Sequence, residues 1–292
     1  MMKMGFRDPL LWTFRFDAHA VVKQRGWRLS IYDCLDQDEA LARSDKQRRM
    51  VRELDSALCR EVDVVFGITD NLVNARRHLN PHSYEVNGAA DLEFFGQALQ
   101  ENTHVPDDLA RLGGPVVGYM GGVDPFRMDV SLLTYLARER PHWNIVLVGY
   151  VWFGFNAEAF RHFPNIHVLG PKPYEDFPGY LKGMDVCIMP FPLNDLTRHG
   201  DSLKCYEYLA AGKPVVSTPV PSALRLPQVV RIADTPAEFL SAIEASLKEG
   251  SSGIQRRVEA VQPFTWENRV ARKAEIILHR LAEKDAQRNA HE

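Results

Sequence analysis

Lys204 and Glu207 stand three residues apart inside the stretch that runs from Asp201 to Pro221. A cation in the first turn of a helix adds to free backbone N–H groups and to the positive end of the helix dipole, and together these make an anion site. A carboxylate one turn further along the same face accepts hydrogen bonds from hydroxyls. The pair suits a nucleotide diphosphate, with the amides and Lys204 at the phosphates and Glu207 at the ribose. The same spacing also fits an ordinary i, i+3 ion pair on a solvated helix face, so spacing alone leaves both readings open.

The elements that must position this pair are legible around it. Asp201 and Ser202 are good N-cap types, and Leu203, Tyr206, Leu209 and Ala210 recur at helical spacing. Gly212 is the expected C′ residue, and Pro214 forbids continuation. Residues 214–218 then read as a short strand rich in β-branched residues, closed by Pro219 and Pro221.

From the start of the chain, residues 10–14 read as a strand, 18–24 as a short helix closed by Gly26, and 27–32 as a second strand ending in Asp33-Cys34-Leu35-Asp36. Acidic residues at the C-terminal end of a buried strand are where α/β sheets place ligands; Asp36 equally suits a cap for the following charged helix, 37–59. A strand over 62–66, a helix capped by Thr69 and a strand over 84–86 follow. The polar stretch 97–114, with Pro106, Gly113 and Gly114, reads as an interdomain linker. A second α/β run then begins: strands over 115–120, 144–148, 166–169, 186–189, 215–217 and 229–232, with a helix over 129–138 and a tight loop at Gly121-Gly122. Strands alternating with helices imply parallel, doubly wound sheets. The final helix begins after Pro263 with Thr265 as its cap. Trp266, Val270, Ala274, Ile277 and Leu281 form its expected apolar stripe, which packs across a domain boundary or lies on a membrane surface. The expected organisation is 1–113, 114–262 and a C-terminal helix over 263–292 that packs back toward the first domain.

Composition narrows the function classes. Across 292 residues the net charge is −3, so no nucleic-acid partner is expected. The four cysteines, Cys34, Cys59, Cys187 and Cys205, show no C-x-x-C spacing and fit a reduced cytosolic protein better than a disulfide frame or zinc site. The longest apolar run, 145–155, is too short to span a bilayer. Lys3 and Arg7 precede no long apolar segment, so no signal peptide is expected.

The residues from Lys204 to Val216, KCYEYLAAGKPVV, resemble the donor-site signature of family 4 glycosyltransferases, close to K-x-x-E-Y-x-A-A-G-K-P-V-V. The stretches 118–122 (GYMGG), 147–149 (LVG), 167–174 (HVLGPKPY) and 185–191 (DVCIMPF) agree in order and spacing. The resemblance is closest to bacterial enzymes that build cell-surface polysaccharides. It implies two Rossmann-like domains facing a cleft, the GT-B arrangement, and a retaining sugar transfer that needs no bound metal or cofactor beyond the nucleotide-sugar donor. It assigns Gly121, Gly122, Gly149, Tyr174, Pro190, Asp201, Ser202, Leu203, Lys204 and Glu207 to donor binding, with Lys204 at the diphosphate and Glu207 at the ribose. The acceptor it implies is a glycan or a lipid-linked glycan, handled in the cytoplasm or at the membrane periphery.

Departures from the family pattern fall at specific positions. The first glutamate of an E-x7-E motif falls on His199, and the basic residue after the glycine turn is replaced by Val123-Asp124. Arg127 and Arg198 are the cations left to neutralise a leaving diphosphate. Leu35 stands where some relatives carry histidine, which leaves Asp33 and Asp36 as the acceptor-side polar groups. No glycine-rich βα unit precedes Leu10, so the first domain reads as incomplete, with a sheet edge open to self-association or a partner chain. The expectation is donor binding with poor transfer by the chain on its own. The alternative reading is a degenerate nucleotide-sugar-binding partner without transferase activity. A sugar-nucleotide epimerase lacks its usual acid/base set here, and a dehydrogenase is disfavoured because 118–122 is not G-x-G-x-x-G.

Overall fold

The computed structural model describes residues 8–24 and 26–290; Lys3 and Arg7 lie outside them. The chain divides into two compact units. One comprises Met1–Gly88, Arg198–Asp201 and Glu267–Glu292, and the other Ala89–Thr197 and Ser202–Trp266.

In the first unit four parallel strands, β1 (Leu10–Thr13), β2 (Leu29–Cys34), β3 (Val64–Gly67) and β4 (Ser83–Glu85), lie in the order β1-β2-β3-β4. Strand side chains alternate between faces, and this sorts the core into two layers. Tyr32, Cys34 and Val65 pack with Leu58 and Cys59 of the Asp45–Glu61 helix and with Leu72 of the Asp70–Arg77 helix. On the other face Leu29, Ile31, Val64 and Phe66 pack with Ile276 and Ile277 of the final helix, Trp266–Asn289. The second layer of this sheet is thus supplied by the end of the chain.

That helix buries only the later part of the expected stripe, Ile277 and Leu281, and leaves Trp266, Val270 and Ala274 exposed. Trp266 and Val270 are 48% and 66% exposed, while Ile276, Ile277 and Arg280 are buried. The inward face runs through Lys273, Ile276, Ile277, Arg280, Leu281 and Lys284, because its cations meet aspartates: Lys273 Nζ donates to Asp33 at 2.5 Å and Lys284 Nζ to Asp63 at 2.8 Å. The helix expected from residue 37 also starts later. A 3₁₀ turn covers Asp38–Leu41, Ala42 is extended, and Ser44 caps the helix by accepting from the Gln47 N–H. Asp36 is not its cap. Thr69 caps the next helix as expected, through the Leu72 N–H.

The second unit carries six parallel strands, β5 (Val116–Met120), β6 (Asn144–Val148), β7 (Ile166–Gly170), β8 (Val186–Met189), β9 (Val215–Ser217) and β10 (Val230–Ile232), in the order β10-β9-β8-β5-β6-β7. Chain direction across the sheet reverses at β5, which pairs with both β6 and β8. Ligands of such sheets bind outside the C-terminal strand ends at that switch point, and Gly121, Gly122 and Pro190 occupy those ends. The stretch read as a linker, 97–114, instead packs into this unit as a 3₁₀ turn at Gln97–Leu99 and a short helix at Asp107–Ala110, because Ala98 and Leu109 are apolar enough to bury.

Candidate donor-phosphate site in the second unit

The Lys204–Glu207 pair sits on a helix over Leu203–Ala210. Its end is a Schellman motif: Lys213 N–H donates to the Tyr208 carbonyl and Gly212 N–H to that of Leu209, both at 2.9 Å, with Gly212 at φ +71°. Arg257, itself buried, donates from Nε to the Gly212 carbonyl at 2.8 Å and from Nη1 to Glu249 at 2.6 Å. Tyr208 ties the helix to β5, accepting from the Met120 N–H at 2.8 Å and donating to the Met120 carbonyl at 3.0 Å. At the start of the helix the Ser202 side chain makes no capping hydrogen bond. The Cys205 N–H turns back on the Ser202 carbonyl at 3.2 Å, and the positive end of the helix dipole still favours an anion there.

The helix delivers Lys204 onto the glycine turn. A Cβ built on Gly121 would lie 1.9 Å from Lys204 Cε and 2.6 Å from Nζ, so a side chain there would displace the end of the lysine. Gly121 is at φ +145°, and Gly149 at φ +147° sits so close that a Cβ on it would lie 1.9 Å from the Gly121 carbonyl oxygen. The ammonium is 5.5 Å from the centre of the buried Tyr119 ring, whose hydroxyl donates to the Gly122 carbonyl at 2.8 Å.

Electrostatics mark the pair as poised. Burial pulls Lys204 below the ordinary lysine value, with Glu207 pulling it partly back. Burial pushes Glu207 above the ordinary carboxyl value, with Lys204 opposing. Both side chains nonetheless keep part of their surface open to solvent. They are charges in a crowded, accessible site, unlike the solvated surface pair that their spacing also allowed.

The other expected donor residues fall into groups. Arg127 and Asp124 are near enough to act on Lys204. Asp124 is buried, accepts from the N–H groups of Phe126 and Arg127, and pairs with Arg127 Nη1 at 3.5 Å. Tyr174 is stacked on Phe94 with ring centres 4.5 Å apart, and its hydroxyl titrates high through burial and then through the charge of Glu207, so it joins the same neighbourhood. Pro190 is buried and its carbonyl accepts from the Asp129 N–H. Leu203 is 36% exposed at the helix start and is not a core residue.

Arg198 and Asp201 belong to the first unit. The Arg198 carbonyl accepts from Asn71 Nδ2 at 2.7 Å, the His199 carbonyl from the Thr69 hydroxyl at 2.8 Å, and Asp201 Oδ2 from the Gly88 N–H at 2.6 Å. Of the acceptor-side candidates, Asp33 is buried, with Oδ2 held by Trp12 Nε1 at 3.1 Å and by Lys273. Asp36 is half-buried beside Asp38, whose carboxyl is raised by burial and then by Asp36 and Asp55. The sequence did not announce the neighbouring cluster in which Tyr32 donates to Asp55 at 2.8 Å and Arg76 Nη2 to the same oxygen at 3.0 Å. Among the described residues no group of three or more His, Cys, Asp or Glu side chains could hold a metal ion, and the four cysteines are buried free thiols.

Residues 114–249 match the family described as Glycosyl transferases group 1, and this span contains the whole Gly121–Gly149–Lys204–Glu207 arrangement. A curated relative from Bacillus subtilis (strain 168), named "Putative teichuronic acid biosynthesis glycosyltransferase TuaH", is 26% identical over 244 residues, covering 76% of this chain. The chain spans 59% of that relative's length. Among solved structures, the sucrose-phosphate synthase of Thermosynechococcus elongatus is similar with a TM-score of 0.73 at 17% identity, over 97% of this chain and 75% of its own. HepE of Anabaena, in complex with UDP and glucose, is similar with a TM-score of 0.70 at 16% identity, over 92% and 77%; other structures of HepE hold UDP or UDP-glucose. At these identities the likeness is one of fold, two parallel α/β units of the GT-B class.

Proposed function

We propose that this chain serves a retaining glycosyltransferase, which moves a sugar from a nucleotide diphosphate donor to a glycan or lipid-linked acceptor in cell-surface polysaccharide synthesis. The observation that carries this is Lys204 lying over Gly121 at the sheet's switch point, inside the span that matches glycosyltransferases. Lys204, at the positive end of its helix, would take the diphosphate, and Glu207 the ribose. Breaking the bond between sugar and phosphate leaves growing negative charge on the leaving diphosphate. Cations fixed in place before the reaction stabilise that charge without reorganising, and Arg127 is the second cation at hand. HepE's complexes with UDP and UDP-glucose support a nucleotide-sugar donor, and TuaH's name supports the polysaccharide setting. Retention of anomeric configuration rests on the resemblance to family 4. Action in the cytoplasm at the membrane periphery belongs to the same proposal; no helix among the described residues is long and apolar enough to cross a membrane. So does self-association or a partner at the sheet edge. Among the described residues β1 is an edge strand, with Leu10 and Trp12 exposed on it and Phe14 exposed just after it.

His199 in place of the expected glutamate favours a second reading, a nucleotide-sugar-binding partner without transfer. Slow release of free sugar from a nucleotide sugar in the absence of acceptor separates the two. An enzyme produces it, and Lys204→Ala removes it. A wild-type chain that binds donor and never cleaves it supports the second reading.

A further inference from the structure

Trp152 lies immediately beside the glycine turn. The loops that follow β5 and β6 run together: Val123 and Val151 form a parallel bridge, the Val123 N–H donates to the Tyr150 carbonyl, and the Trp152 N–H donates to the Val123 carbonyl, both at 2.9 Å. This pairing fixes the Trp152 backbone and swings its indole over Gly122. A Cβ built on Gly122 would lie 2.7 Å from Trp152 Nε1. Lys204 occupies the corresponding place over Gly121, and consecutive α-carbons are only about 3.8 Å apart. An ammonium and an indole N–H edge therefore stand over adjacent residues of one turn. The indole is 56% exposed and is braced edge-on by Tyr150, with ring centres 5.6 Å apart. A lone exposed aromatic is unremarkable, but an indole on a backbone fixed by loop pairing, over the residue next to the one that Lys204 covers, suits recognition of a ligand held by that cation.

In a nucleotide sugar the glycosyl ring is bonded directly to the distal phosphate. In the donor-site reading Glu207 takes the ribose and Lys204 the diphosphate, and Trp152 presents its indole over Gly122, the residue next to the one that Lys204 covers. We propose that Trp152 is the specificity-determining residue for the donor's sugar. Its ring covers the apolar C–H face of a pyranose, and its Nε1–H donates to a hydroxyl. Aromatic rings with a polar edge suit such half-apolar ligands. This rests on the donor-site reading above.

The test is calorimetry with UDP, GDP and dTDP and their glucose or mannose conjugates, carrying forward the pair that wild type binds most tightly. Trp152→Ala is expected to leave the diphosphate Kd within about twofold and to raise the nucleotide-sugar Kd about five- to tenfold, with Trp152→Phe between wild type and Trp152→Ala. Phe153, which is fully exposed, is the control; Phe153→Ser changes neither constant. Equal effects of Trp152→Ala on diphosphate and nucleotide sugar, or no effect on either, overturn the proposal. So does an unchanged nucleotide-sugar Kd accompanied by lost binding to phosphatidylglycerol vesicles in both Trp152→Ala and Phe153→Ser, which would place these aromatics against lipid. Lys204→Ala is read in the same series. If it leaves diphosphate binding intact, or if no pair binds wild type, the donor-site reading itself fails.

Discussion

Lys204 Cε fills the space that a side chain on Gly121 would need, with only 1.9 Å between it and a Cβ built there. The lysine and the glycine form one device: the turn exists so that the ammonium can reach backbone level at the ends of β5 and β6. Gly121→Ala is therefore expected to push Lys204 aside and to strain a backbone held at φ +145°. A cost of about 1–3 kcal/mol in stability should come with loss of diphosphate binding. Gly170→Ala is the comparison, at φ +71° with no atom within 4 Å of its Cβ. It carries the strain without the lysine clash, and calorimetry should show diphosphate binding retained.

Glu207→Gln should separate stability from binding. A carboxyl whose folded pKa lies above its unfolded one, ordinarily 4.5, loses stability as pH rises through the window that opens there. Removing the charge should leave the protein at least as stable as wild type at neutral pH. The difference should grow from about pH 4.5 upward and then level off. Nucleotide affinity should meanwhile fall by about 1.5–3 kcal/mol, the worth of a charge-assisted hydrogen bond. Melting scans across the acid range, beside calorimetry at neutral pH, check both halves. A destabilised Glu207→Gln would show that the Lys204 pairing outweighs burial.

Lys204 sets the alkaline limit. Its pKa is depressed from the ordinary 10.5, so diphosphate affinity should begin to fall at lower pH than an exposed lysine would dictate. Binding should take up protons in that range, because an anion favours the charged amine. Calorimetry in buffers of different ionisation enthalpy reads this directly. Proton release on the alkaline side would contradict it.

The final helix offers a contrast between its two faces. Ile276→Ala and Ile277→Ala remove apolar groups packed on Leu29, Ile31, Val64 and Phe66, and each should cost about 2–5 kcal/mol. Val270→Ala, on a residue 66% exposed, should cost little. Lys273→Met should be as severe as the core changes, because it leaves the Asp33 carboxylate buried and unpaired, at about 3–5 kcal/mol. Adding Asp33→Leu should recover much of that loss. Chemical denaturation ranks the set, and equal costs for Val270→Ala and Ile277→Ala would refute the assigned face.

These two helices show what could be read ahead of the structure. Over 203–217 every local signal agreed: a proline after Gly212, helical spacing before it and β-branched residues after it, with the glycine adopting the left-handed conformation that closes the helix. The final helix defeated the same procedure because its buried face carries Lys273, Arg280 and Lys284. A cation counts as solvated in any periodicity scheme, and its aspartate partners lie far away in sequence, at Asp33 and Asp63. The stretch 97–114 looked like a linker on composition, yet a few scattered apolar residues sufficed to pack it. Trp152 lies within an apolar run, 145–155, whose composition says no more than that it is too short for a bilayer. Its position over Gly122 depends on the pairing of two loops that are distant in sequence, which no local pattern encodes.

The central claim, that Lys204 over the glycine turn holds a diphosphate, is tested most directly by calorimetry of nucleoside diphosphates and of the matching nucleosides on wild type and Lys204→Ala. The account predicts that the substitution weakens the preferred diphosphate by about 1.5–3 kcal/mol while leaving its nucleoside nearly unchanged. Equal losses for the two, or a diphosphate affinity that does not respond to Lys204 at all, would contradict it.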